Sequence, residues 1–136
     1  MPFGDTMKIK IFNSFQKTER KPLHLPSTLA VSIATLTSQH QNAAKEIQSK
    51  REQAAAQQAA LKLAETRQNL HAVSKALQLR DQDYALQLVH QAKKNLQDYC
   101  TLTAPLASLE QVRTEVNALI QHKLTDLEDQ VLMDKI

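Results

Sequence analysis

At 136 residues, with 42% hydrophobic and 23% charged side chains, the chain has the composition of one globular domain and is too short for two ordinary ones. Only 4% is aromatic and the single glycine is Gly4. The core must therefore be built from Leu, Ile, Val and Ala, and the phosphate loops, nucleophile elbows and tight hairpins that need glycine at positive φ are excluded beyond that point.

Cys100 is the only cysteine, which excludes an intramolecular disulfide or a zinc ribbon and points to a reducing compartment. The net charge of +3 conceals an asymmetry: residues 1–80 hold 12 Lys and Arg against 5 Asp and Glu, and residues 81–136 hold 5 against 9. That split reads first as a basic helix lying against acidic ones or against an acidic partner, and only second as a nucleic-acid footprint, which would need clustered basic residues with stacking aromatics.

Residues 1–26 form an arm, holding the glycine, Pro2, Pro22 and Pro26, and all three phenylalanines. Met7 to Ile11 alternates apolar and basic side chains like a strand, with nothing elsewhere in the chain to pair with. Ile9, Ile11, Phe12 and Phe15 are its candidate anchors, for addition to a partner's sheet edge or docking as a basic, aromatic peptide; disorder or passive packing are the alternatives. The start MPFGDTMKIKIF lacks the apolar run of a secretory signal, and no stretch reaches the roughly 18 to 20 apolar residues of a membrane span. A cytoplasmic chain that meets membranes only through partners is expected.

Residues 27–136 read as a helical assembly domain. After Pro26, Ser27 or Thr28 offers an N-cap oxygen, and the next proline is Pro105. A single helix over that interval would run about 115 Å at 1.5 Å per residue, so bends are expected, first of all at Arg80-Asp81-Gln82-Asp83, where Asp81 and Asp83 can cap a new helix. Leu29, Ile33, Leu36 and Ile47 share one face, with His40 on the same stripe. From Gln48 to Ala60 the largest apolar side chain is alanine, so helix persists there with packing that is either close or absent. Leu63, Leu70, Val73 and Leu77 then resume a stripe.

The segment from Asp83 to Cys100 places Ala85, Val89, Ala92, Leu96 and Tyr99 in a heptad seam, widened by Leu86 and Leu88. Thr103 and Pro105 read as the first turn of another helix. Leu109, Val112, Val116, Ile120, Leu124, Leu127 and Val131 form the clearest amphipathic stripe of the chain. The fold expected is all-α: a long helix followed by an antiparallel helical hairpin, with coiled-coil or bundle packing. Residues near 27–60 are expected to protrude, leaving Leu29, Ile33, Leu36 and Ile47 as the candidate partner-binding residues.

Chemistry is not announced. His24, His40, His71, His90 and His122 show neither HExxH nor HxxxH spacing, and acidic groups such as Asp81 with Asp83, or Asp126 with Glu128 and Asp129, lack the glycine-containing loop of a calcium site. No catalytic residue, metal ligand, cofactor or small-molecule substrate is expected. Tyr84 and Tyr99 read as core or interface anchors.

The runs LAETRQNLHAVSKAL, DYALQLVHQAKKNLQDY and PLASLEQVRTEVNALIQHKLTDLE, covering about residues 60–130, resemble the amino-terminal helical region of vesicle-tethering subunits of the Golgi-associated retrograde, conserved oligomeric Golgi and exocyst complexes. That resemblance implies a rod-like, non-enzymatic tether subunit that bundles with sister helical chains and lies at Golgi or endosome membranes through its partners. A bacterial secretion chaperone or effector of helical-bundle type is the alternative, and a basic nucleic-acid-associated coiled coil a further one.

Overall fold

The computed structural model describes residues 26–135, with side chains through residue 133, and the candidate arm anchors Ile9, Ile11, Phe12 and Phe15 lie outside that range. Every regular element among the described residues is helical. Helix α1 runs through residues 26–44, α2 is Lys50–Gln78, α3 is Gln82–Thr103, and a 3₁₀ turn at Ala107–Leu109 leads into α4, Glu110–Leu119. A π turn, Ile120–Leu124, then joins α4 to α5, Thr125–Lys135, so that residues 107–135 form one helical rod. Ser27 and Thr28 lie inside the first turn of α1 and do not precede it.

The pairing of α2 with α3 follows from matched periodicity. Along α2 the buried residues Ala56, Ala59, Leu63, Thr66, Leu70, Val73 and Leu77 alternate spacings of three and four, and along α3 Ala85, Val89, Ala92, Leu96, Tyr99 and Thr103 do the same. Two such seams interlock as an antiparallel hairpin, α2 and α3 being the most extensively packed pair among the elements from residue 50 onward. The connection needs only Leu79, Arg80 and Asp81. The Arg80 N–H donates to the Leu77 carbonyl at 3.1 Å and the Asp81 N–H to that of Ala76 at 2.9 Å, closing α2 in a Schellman motif with Arg80 at φ 62°. Asp81 then starts α3, its carboxylate accepting from the Tyr84 N–H at 3.2 Å.

The expected protruding helix is not what forms. The chain turns at residues 45–49, and Ser49 caps α2 by accepting from the Glu52 N–H. With so short a link α1 folds back antiparallel to α2, and its stripe Leu29, Ala30, Ile33 and Leu36 enters the same core as Leu63, Leu70, Leu96, Val116 and Leu127. The result is a bundle of four rods. At the end carrying the 45–49 and 104–106 turns, Ile47 joins Ala56, Leu106 and Leu109 in a second small cluster. Pro105 lies in that turn and not in a helix, and Arg113 from α4 donates to the Thr103 and Leu106 carbonyls exposed by the end of α3.

The π turn has a sequence cause. Val112, Val116, Ile120 and Leu124 are spaced by four throughout, and since an α-helix advances about 100° per residue, Leu124 would rotate about 120° away from Val112 in unbroken α geometry. The wider turn at Ile120–Leu124 takes up one residue, and Leu124, Leu127 and Val131 stay fully buried beside Val116.

Candidate functional site

The residues expected to capture a partner are inside the molecule. Leu29 and Ile33 are fully buried and Leu36 and Ile47 nearly so, so the chain covers its own stripe, and a partner could reach it only by opening the bundle. Tyr99 is buried as expected of a core anchor, whereas Tyr84 is 50% exposed at the start of α3.

What α1 offers outward is a different stripe. Residues 26–44 contain no Lys, Arg, Asp or Glu, and Thr28, Val31, Thr35, Ser38 and Asn42, at spacings of three and four, are all exposed. Val31 is 67% exposed. The hydroxyls of Ser32, Thr35 and Thr37 donate to the carbonyls of Thr28, Val31 and Ile33 four residues back, which satisfies them within the helix. The uncharged character continues on α2 from Gln53 to Leu61, with Leu61 62% exposed.

Two open grooves flank α1. One, of about 460 Å³, lies against α4 and is bordered by Val31, Thr35, Leu36, Ala118 and Leu119, with Glu115, His122 and Lys123 along its rim. The other, of about 430 Å³, lies against α2, where Ala56 and Ala60 keep the wall low beside Gln53 and Gln57. Within the alanine-rich run of α2, Ala56 and Ala59 are buried against the other rods while most of the residues around them are exposed.

A polar cluster joins three helices beneath the second groove. His40 is 1% exposed; its Nε2 lies 2.9 Å from the Ala56 carbonyl and its Nδ1 2.7 Å from the Tyr99 hydroxyl. A carbonyl only accepts, so the proton sits on Nε2 and Tyr99 donates to Nδ1. Burial holds His40 below its ordinary pKa against the opposing bond to Ala56, and pushes the Tyr99 phenol and the Cys100 thiol upward. Sequence placed His40 on the apolar stripe, but nothing in it joined residues 40 and 99.

On the far side, Glu128 of α5 contacts His90 and lies 3.5 Å from Lys93, and Lys62 of α2 reaches Asp98 of α3 at 3.8 Å. The two lysine–carboxylate contacts are partly exposed ion pairs between neighbouring rods, worth about 0 to 1 kcal/mol each. Among the described residues no three His, Cys, Asp or Glu side chains converge as a metal site, and no helix is long and apolar enough to cross a membrane. Compared with protein-family models, with curated proteins and with solved structures, the chain gives no match.

Proposed function

We propose that the protein is a non-enzymatic helical assembly module that binds a helix of another protein chain along the outer face of α1. The observation that carries this reading is a surface helix of 19 residues without one charged side chain. A helix that faces only water ordinarily carries charge on its outer side, whereas the centre of a protein interface is depleted of it. The 3-4 spacing of Val31, Thr35, Ser38 and Asn42 and the groove against α4 offer a second helix a track to lie in.

The finer reading is a subunit or fragment of a vesicle-tethering complex, cytoplasmic and held at Golgi or endosome membranes by its partners. Support comes from the resemblance over residues 60–130, which now correspond to most of α2, all of α3 and the α4–α5 rod. The partners are then sister helical chains, joined at fixed stoichiometry.

Charge insertion tests the module. Val31→Glu and Thr35→Lys should leave the thermal melt within about 0.5 kcal/mol of the parent, since both positions are exposed, yet abolish assembly with the helical partner in size-exclusion and sedimentation measurements. Ile33→Asp is the folding control: it buries an unpaired charge and should unfold the bundle. Undiminished assembly by both surface variants would remove the reading. Binding that collapses steeply with salt would replace it with a nucleic-acid interaction, and capture of one unfolded segment with a chaperone.

A further inference from the structure

Residues 26–44 hold the bundle's least secure helix. Six of the 19 are Ser or Thr, and Val31 and Ile33 are β-branched, so intrinsic helix propensity is low and α1 depends on its docking. Leu29, Ala30, Ile33 and Leu36 in the main core, Ala43 and Ala44 against the small end cluster, and the polar pin His40 make that docking. The remaining three rods keep a continuous core of their own through Leu70, Val89, Leu96, Val116, Leu124 and Leu127.

We propose that His40 makes the docking of α1 pH-sensitive, proton uptake by its buried ring loosening α1 ahead of the rest of the bundle. The geometry supplies the reason. Neutral His40 uses both nitrogens, donating from Nε2 to the Ala56 carbonyl and accepting at Nδ1 from Tyr99. A second proton must go onto Nδ1, which ends the bond that Tyr99 donates there and forces its O–H to turn away before the oxygen can accept.

Among the described residues that line the groove and bond to His40, none is a carboxylate. The titratable and charged groups around His40 are Tyr99 and Cys100 on α3, Arg113 on α4 acting on both, and Lys45 on the rim of the groove; α2 presents Gln53, Ala56 and Gln57. The phenol and thiol stay neutral in acid, and what opposes charging the ring is its burial, set against the bond to Ala56. The open groove between α1 and α2 is the side on which an imidazolium gains water.

The sign follows from linkage. The open state takes up its proton near the ordinary histidine pKa of 6.5 and the docked state only at lower pH, so docking is fully favoured above 6.5 and is lost as pH falls from there toward the docked-state pKa. Within that window the opening constant of α1 rises by up to about tenfold per pH unit.

The test is amide hydrogen exchange on the full chain between pH 7.5 and 5.0, corrected for intrinsic rates, together with an NMR titration of the His40 ring. Opening at Leu36, Thr37 and His40 should increase below pH 6.5, by at most about tenfold per unit, while Leu70, Val89 and Leu96 keep their protection. His40→Gln retains a donor and an acceptor without titrating, and should flatten the dependence. Tyr99→Phe removes the hydroxyl that favours the neutral ring, and should move the midpoint to higher pH. Protection of α1 that is flat with pH, or that falls together with the core, overturns the proposal. So does a His40→Gln protein with the parent's slope. If that variant does not fold, a His40 ring titrating at or above 6.5 in the parent decides against it.

Discussion

Individual residues explain why the helices stop where they do. Asp81 was readable as a cap from the sequence, and it starts α3 while its own N–H finishes the Schellman closure of α2. Arg80, between them, was not readable as a left-handed residue, because a non-glycine side chain there costs about 1 to 2 kcal/mol and the strain is imposed by the two helices it joins. Arg80→Gly should therefore stabilise the bundle by about 1 kcal/mol in urea denaturation, and Asp81→Ala should destabilise it by a similar amount. Loss of stability in the glycine variant would show that the Arg80 side chain contributes more than its backbone costs. His40 illustrates the opposite limit: its place on the stripe was visible at i, i+3 and i+7 spacing with Ile33 and Leu36, but its partner is 59 residues away and only the packed rods bring it near.

At the scale of elements, periodicity carried most of the information. The seams of α2, α3 and the last rod lie at the positions their spacing implied, because a helix must bury its apolar side somewhere and a hairpin with a short link buries it against its neighbour. Two features escaped that logic. The turn at residues 45–49 contains neither glycine nor proline, and the available signal was the Ser49–Glu52 capping pair, which lies within an alanine- and glutamine-rich stretch that looks helical throughout. The π turn was present as the repeated spacing of four from Val112 to Leu124, which averages into an ordinary-looking period over the longer stripe.

Deletion of the exposed Gln121 should convert that turn into regular α-helix with Leu124, Leu127 and Val131 still on the core side, since it removes about 100° of surplus rotation. The melting temperature should stay within about 5 °C of the parent by circular dichroism. A collapse of the transition would mean that the π turn holds the rod for a reason other than register.

For the whole molecule, the consequence of α1 folding back is that the inner apolar stripe and the outer uncharged stripe exchange roles. Leu29, Ile33 and Leu36 complete the bundle, and the recognition we propose falls to Val31, Thr35 and Ser38, exposed on the opposite side of the same helix. Sequence periodicity revealed the apolar stripe and not the uncharged one, and which face of α1 water sees depends on where the 45–49 turn sends the helix. Site-by-site photo-cross-linking in cells of origin tests this most directly, with a photoreactive amino acid at 31, 35 or 38 on α1 and, for comparison, at exposed positions 71 and 75 on α2 and 94 on α3. Cross-links to a second polypeptide concentrated at the three α1 positions are the expected result. Equal labelling at the comparison sites, or none along α1, would contradict the account.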